Sequence, residues 1–380
     1  MLDAKILGER IKELRKQRGL TQSAFADDMS VSFQAVSNWE RGIAPPDLDN
    51  LIRIADYFNL LIDDLVRHSP TPLVLAVDAG GTKTELAVTD LDGHVLGTAL
   101  KKGSNPNDIG REKALELICE AIHEMLIQFP SVRAIFCGVA GITSGDNRRY
   151  MLSALKKKYP SIEIDVENDA ANLFPFSDRA DMALISGTGS VAFIKRDDSL
   201  LRIGGWGYLF DSAGSAYDIG RDAIAASLYL EDAKKQPSVM AKMLRKRLGT
   251  PDIWSAVSDL YAGGKPYIAS LADTVFEAYA ENDPDAVSII EKSARHLGEL
   301  LELGVNTYKA KPCAVASGGI FEHHSKIMLE RIKEYTDTEV ILCDLPPIYG
   351  ACRIARGLLE KDCHTDFYSN FKNSYRREVN

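Results

Sequence analysis

Two hydrophobic patterns divide this 380-residue chain. Over roughly residues 1–67, apolar positions recur at helical spacing. From Leu73 onward, short continuous apolar runs alternate with longer helical patterns, the signature of strands crossed by helices. In the first region, residues 6–18 carry Ile6, Ile11 and Leu14 on one side and Arg10, Lys12, Arg15, Lys16 and Arg18 elsewhere, and Gly19 ends the helix. Thr21 suits the N-cap of a short helix over 22–29, Ser30 and Val31 make a tight turn, and Ser32 caps a helix over 33–41 that Gly42 ends. Asp47 caps a fourth helix over 48–58, and residues 62–66 close the unit. The polar, proline-containing stretch 67–72 reads as a linker, which divides the chain into a first domain over 1–67 and a connection over 68–72.

The remainder predicts a duplicated α/β architecture. Strands at 73–78, 85–89 and 94–100 precede a helix at 112–128, a buried strand at 133–138, a helix at 148–158 and a short strand at 162–166, an order βββαβαβ. The theme returns with strands at 182–186, 191–195 and 200–203, a glycine-rich segment at 204–220 and a mostly helical insertion at 221–307. A strand at 314–316, a helix, a strand near 339–343 and a helix at 349–359 complete the second half. This gives an N-terminal lobe over 73–180 and a C-terminal lobe over 181–360, with the polar tail 361–380 expected to fray.

Composition adds exclusions. A net charge of −9 makes the whole surface unsuited to bulk nucleic-acid attraction, and 45% hydrophobic with 26% charged residues is ordinary for a soluble protein. The six cysteines are scattered without a C-x-x-C, which fits reduced thiols and a cytoplasmic protein rather than a disulfide or zinc scaffold. No apolar run of about 18 residues exists to span a membrane.

The candidate chemistry lies in two turns. Leu73 to Thr84, LVLAVDAGGTKT, runs a strand into Asp78 and then Gly80, Gly81, Thr82 and Lys83, and a second strand follows. A Walker loop requires a following helix and a longer spacing. A strand–Gly-Gly-Thr–strand turn is an ordinary hairpin signal, yet its bare backbone N–H groups also form a concavity for phosphate. Asp181 to Ser190 repeats the unit with Gly187, Thr188 and Gly189. The repetition suggests a nucleotide held between two related halves, with Asp78 placed to bind Mg2+ among its phosphates. Asp169, directly after a strand end, reads from the residues alone as an N-cap to the next helix, although it also stands where open α/β sheets place ligands.

Two resemblances follow from these residues. LTQSAFADDMSVSFQAVSNWERG resembles the Cro/repressor-type (XRE) helix-turn-helix family, with Leu20, Thr21, Gln22, Ala26, Val31, Ser32, Gln34, Val36, Ser37, Trp39, Glu40 and Gly42 at that family's positions. The resemblance implies that Val36 and Trp39 pack inward while Ser32, Gln34, Ser37 and Asn38 face double-stranded DNA, bound by a homodimer reading two half-sites. Phe33 stands where the family often has a polar reader. Residues 1–67 hold nine Lys/Arg against eleven Asp/Glu, but five of the nine basic residues fall between Arg10 and Arg18, so the charge can be one-sided. A plain protein-interaction domain is the competing reading.

VDAGGTKT, GVAGI, ENDA, ISGTGS, GGWGY…GSAYDIGR, ASGGI and PPIYGA, in this order, resemble the N-acetylglucosamine kinase and BadF/BadG-type ATPase family. The family lies within the actin-like sugar-kinase superfamily, whose two lobes are ribonuclease-H-like. The resemblance implies ATP and Mg2+ as cofactors, an N-acetylglucosamine-like sugar as substrate, and a role for each matching residue. Gly80, Gly81, Thr82 and Lys83 would hold phosphates from one lobe, and Gly187, Thr188 and Gly189 from the other. Gly318 and Gly319 would back the nucleoside, Asp78 would position the metal, and Asp169 would be the catalytic carboxylate. Asn107, with Asn105 as competitor, Asn168, Trp206 and Asp211 would contact the sugar. Asp211-Ser212-Ala213 departs from the family's Gly-Asp-Glu, which leaves a sugar- or nucleotide-sensing transcription regulator as the second reading. The cysteine positions match no cluster-binding pattern of the family's iron–sulfur branch.

Overall fold

The structure, a computed structural model, describes residues 4–58, 60, 62–66, 72–196, 199–211, 214–359 and 366–376. Packing divides the chain between Leu73 and Val74 into two compact units. The linker read at 67–72 lies outside the described residues except for Pro72.

The first unit contains α1 (Ala4–Gln17), α2 (Gln22–Asp28), α3 (Phe33–Glu40), α4 (Leu48–Phe58) and α5 (Ile62–Val66). Three predicted caps form: Thr21 Oγ1 accepts from Ala24 N at 3.1 Å, Ser32 Oγ from Ala35 N at 3.1 Å, and Asp47 Oδ1 from Asn50 N at 2.8 Å. Ser30, at φ 52°, turns the chain between α2 and α3. Phe25, Val36, Trp39, Ile54 and Leu65 build the core. The inward stripe of α1 is Leu7, Ile11 and Leu14; Ile6, expected to face inward, is 40% exposed. Helical spacing back from Ile11 reaches Leu7 first. Arg15 corrects a second expectation. It is buried, its guanidinium donating to both Glu40 carboxylate oxygens at 2.5 and 3.0 Å, while Gln22 Nε2 donates to the same carboxylate at 2.7 Å. Arg15 therefore adds nothing to a basic surface.

The second unit begins with β1 (Leu73–Ala79), β2 (Lys83–Thr89), β3 (Val95–Lys102), α6 (Pro106–Ile109), α7 (Arg111–Gln128), β4 (Val132–Val139), α8 (Asn147–Lys158) and β5 (Glu163–Glu167). A 3-10 helix, Asp169–Phe176, leads to β6 (Met182–Ser186), β7 (Ser190–Arg196) and β8 (Ser199–Ile203). Helices α9 (Ala216–Asp232), α10 (Val239–Leu248), α11 (Val257–Ser270), α12 (Ala272–Ala280) and α13 (Pro284–Tyr308) form the insertion. Then come β9 (Cys313–Ser317), α14 (Gly319–Ile332), β10 (Glu339–Leu342), α15 (Ile348–Gly357) and α16 (Phe367–Ser374).

The strand orders are β3-β2-β1-β4-β5 and β8-β7-β6-β9-β10, so the same topology occurs twice, as the duplicated pattern predicts. In each sheet the first three strands pair antiparallel, and the two outer crossover strands pair parallel. Parallel strands need crossover helices, which cover the sheet and explain the continuous apolar runs. Asp283 caps the long α13, which buries Ile290, Ala294, Leu297 and Leu301 in the second lobe's core.

Two C-terminal expectations change. Helix α15, late in the second half by sequence order, packs on the first sheet: Ile348, Tyr349, Ala351 and Cys352 join Val74, Ala76, Ala134 and Phe136. The tail expected to fray contains α16, which seats Phe367 and Phe371 in the same cluster. Two aromatic residues four apart give a polar segment an apolar side to bury. Among the described residues, no helix is long and apolar enough to cross a membrane.

Candidate functional site

The β1–β2 turn is built for close approach. Gly80 N donates to Lys83 O at 2.9 Å, while Gly103 N donates to Thr82 O at 3.1 Å and Ser104 N to Gly80 O at 3.0 Å. The exit of β3 thus braces Gly80, Gly81 and Thr82. A Cβ at Gly103 would lie 2.0 Å from Gly81 O, so the contact requires glycine. In the second lobe, Gly187 N donates to Gly189 O at 2.8 Å, and Ser186 Oγ donates to Gly214 O at 2.7 Å. Gly318, at φ 105°, presses on Ser186, and Gly319 N lies 3.7 Å from the Cβ position of Gly187. Gly318 and Gly319 therefore stand directly behind the Gly187–Gly189 turn.

A cleft of about 640 Å3 lies between the halves of this unit. Gly81, Asn105, Asn107, Asn168, Asp169, Gly187, Thr188, Gly189 and Asp211 line it. Gly81 and Asp169 are 88 positions apart in the chain, and only the folded sheets bring them together. A second cavity of about 850 Å3, lined by Arg148, Asp165, Lys195, Lys311 and Arg353 among others, includes neither glycine turn and is not where this chemistry converges.

The carboxylates divide clearly. Asn168 is the N-cap of the 3-10 helix, its Oδ1 accepting from Ala170 N at 3.1 Å. Asp169, the next residue, is thereby relieved of the capping role that the sequence left open. Burial raises its pKa to about 6, against the pull of nearby backbone N–H groups. Asp78, at the end of β1, is raised to about 7, first by burial and then by the neighbouring charges of Asp169 and Glu85. Asn172 Nδ2 donates to Asp78 Oδ1 at 2.7 Å, while its own Oδ1 has no hydrogen-bond partner among the described residues. Sequence spacing gave no sign of Asn172, which lies 94 residues from its partner.

Other predicted residues are distributed as follows. Asn105 Oδ1 accepts from Asn107 N at 2.9 Å, and Asn107 Nδ2 donates to Ser144 Oγ at 3.0 Å. Both asparagines close over Gly141, whose φ of +74° and lack of Cβ allow the contact. Asp211 reaches the cleft with His296 Nε2 3.6 Å away; Ser212 and Ala213 lie outside the described residues. Lys83 Nζ donates to Glu85 Oε2 at 3.1 Å, and Lys83, like Asp78, Gly80, Thr82, Gly318 and Gly319, is not among the cleft-lining residues. Trp206 is 62% exposed, stacked under the Arg202 guanidinium at 4.0 Å, and also outside the lining. Arg202 and Lys265, which no motif singled out, do line it.

On α3, Ser32 and Gln34 are exposed and Ser37 and Asn38 half-buried, while Val36 and Trp39 are buried. Ser32 Oγ is occupied by its cap, and Asn38 Oδ1 accepts from Arg41 at 3.0 Å. Gln34 is the exposed amide left on that face.

Comparisons agree with both units. A helix-turn-helix family profile matches residues 11–65, and the profile of the BadF/BadG/BcrA/BcrD ATPase family matches residues 75–355. The N-acetylmuramic acid/N-acetylglucosamine kinase of Clostridium acetobutylicum is 27% identical over 299 residues, 74% of this chain and 98% of that protein. The HTH-type transcriptional regulator ImmR of Bacillus subtilis is 35% identical over 60 residues, 16% of this chain and 47% of the regulator. Among solved structures, a putative N-acetylglucosamine kinase from Chromobacterium violaceum shares the fold with a TM-score of 0.56 at 18% identity, covering 75% of this chain and 100% of that one. With a helix-turn-helix domain at its N-terminus, this chain belongs to the BadF/BadG/BcrA/BcrD ATPase family.

Proposed function

We propose that the chain is an ATP-dependent sugar kinase acting on N-acetylglucosamine or a related amino sugar, joined to a sequence-specific DNA-binding domain. In this reading residues 1–67 bind DNA, 68–72 link, and 73–180 and 181–360 are the kinase lobes, with α15 of the second stretch packed on the first sheet. The observation that carries it is Asp169, uncapped and raised to about 6, in a cleft lined by glycines of both turns. A base of that pKa is ionised at pH 7 and still able to take a proton.

Gly81 and Thr82 on one side and Thr188 and Gly189 on the other offer backbone N–H groups to the phosphates, while Gly80 and Gly187, whose own N–H groups close the turns, let the phosphates approach the backbone. Asn105, Asn107 and Asp211 orient the sugar. Asp169 accepts the proton of the attacking hydroxyl as the new O–P bond forms and the bond from the γ-phosphorus to ADP breaks; the proton then passes to solvent. The oxygen donor set at Asp78, held by Asn172, fits Mg2+, which takes one or two carboxylates and otherwise phosphate and water. When bound, the ion would neutralise phosphate charge.

A second reading is supported by the altered Asp211-Ser212-Ala213 loop and by the exposed Gln34 on α3: a regulator in which sugar or nucleotide binding shifts DNA affinity. Mg2+-dependent ADP release by the full chain against a panel of hexoses and N-acetylated hexosamines separates the two. Sugar-dependent turnover that disappears in Asp169→Asn supports the kinase. Ligand-induced rise in melting temperature without turnover supports the regulator. For the DNA domain, Gln34→Ala should relax preference at one base by about 1–3 kcal/mol, and an unchanged operator preference counts against the recognition-helix assignment.

A further inference from the structure

Helix α11 is broken where the sequence reads Gly263-Gly264-Lys265-Pro266. Gly264 sits at φ 60° and ψ −159°, a region open essentially to glycine alone. A Cβ at Gly263 would lie 2.5 Å from the Tyr267 ring, so neither glycine tolerates a side chain. Pro266 offers no N–H to continue the hydrogen-bond ladder through the break. Lys265, the first residue after the break, lines the cleft beside Gly187, Thr188 and Gly189. Its Nζ lies 3.6 Å from the position a Cβ would take on Gly189.

The charge around Lys265 is unbalanced. Among the described residues it has no carboxylate in ion-pair range, and its ammonium stands 5.8 Å from the Tyr208 ring centroid. The other candidate cations are engaged. Lys83 is held by Glu85, and the Arg202 guanidinium is stacked on Trp206. Asp169 and Asp211 line the same cleft, and Asp78 lies close enough to Asp169 for their charges to interact, so a polyanion entering it needs a cation opposite them.

We infer that Lys265 binds the phosphate oxygens of the nucleotide held over the Gly187–Thr188–Gly189 turn, the part that sequence order assigned to Lys83. The inference rests on the reading that this cleft holds ATP. A lysine is a compact point charge suited to phosphate, and its hydrogen bonds to phosphate are charge-assisted. The helix break supplies the reach: an unbroken α11 would present residue 265 along its own cylinder.

The test uses the full chain and titration calorimetry with three probes: ATP with Mg2+, inorganic pyrophosphate, and adenosine. Lys265→Ala should weaken ATP and pyrophosphate by about ten-fold or more and leave adenosine within two-fold, while Lys265→Arg keeps most of the ATP affinity. Wild-type binding of ATP with an unchanged Lys265→Ala affinity overturns the role of Lys265 and leaves the nucleotide site standing. Equal loss of all three probes makes the residue structural and also overturns it. A wild-type chain that binds neither ATP nor pyrophosphate overturns both the inference and the ATP reading beneath it. If Lys265→Ala does not fold, Lys265→Gln is put through the same comparison.

Discussion

Asp78→Asn should make the metal-free protein more stable while abolishing turnover. The folded chain raises the Asp78 pKa from its ordinary 3.8 to about 7. Three pH units at about 1.4 kcal/mol each set a ceiling of about 4 kcal/mol on the cost of ionising this group in place. The side chain is only half-buried, and part of the shift comes from Asp169, so solvent screening and relaxation reduce the figure to about 2 kcal/mol. The sign follows from proton binding. The folded state holds the Asp78 proton more tightly than the unfolded state, so the contribution is fully favourable below about pH 4. It is lost as pH rises to about 7. Asparagine keeps an acceptor for Asn172 Nδ2 and carries no charge. Urea denaturation of wild type and variant in EDTA should therefore coincide near pH 4 and differ by about 2 kcal/mol at pH 8, the variant being the more stable. Adding Mg2+ and ATP should raise the stability of the wild type and not of the variant. A variant equally or less stable at pH 8, or a gain independent of pH, would refute the argument that Asp78 is held against its own charge.

Asp169→Asn should lower sugar-dependent turnover by about 10^2- to 10^4-fold with ATP binding retained, measured by coupled ADP release and calorimetry. Wild-type turnover should fall as pH drops through about 6, because the raised carboxyl becomes protonated there; a rate flat from pH 7 to 5 would exclude it as the base. Gly350→Ala places a Cβ 1.7 Å from the Asn172 carbonyl oxygen, so α15 must retreat from the 3-10 helix that carries Asp169. Thermal melting should show a loss of about 1–3 kcal/mol with reduced turnover, and a variant of wild-type stability would remove α15 as that helix's support. Glu40→Ala leaves the buried Arg15 guanidinium without its carboxylate and should cost the first unit about 3 kcal/mol. DNA binding should be lost and ATP turnover kept; loss of both would show that the two units do not fold independently.

The local devices were legible because near neighbours decide them. Thr21, Ser32 and Asp47 cap the helices they precede, and the duplicated strand order gives two sheets of identical topology. The glycine turns at Gly80 and Gly187 stand where apolar runs end, since a strand leaving a covered sheet must turn there. Helical spacing marked Val36 and Trp39 as core residues, but it chose Ile6 over Leu7, because two adjacent apolar residues are separated only by what the helix packs on. The aromatic pair of α16 was hidden in a polar composition for the same reason.

What only the tertiary structure decided is which distant groups meet. Asn172 reaches Asp78 across 94 residues, Arg15 is withdrawn from the surface by Glu40, and α15 crosses back to the first sheet. Lys83 follows two glycines in sequence yet pairs with Glu85, whereas Lys265, in a helical insertion, arrives beside Gly189. The sequence by itself determined the turns, caps and strand order, each a matter of a few residues and their backbone conformations. Charge pairing depends on distances between side chains far apart in the chain, and those distances exist only once both sheets and the broken α11 have packed.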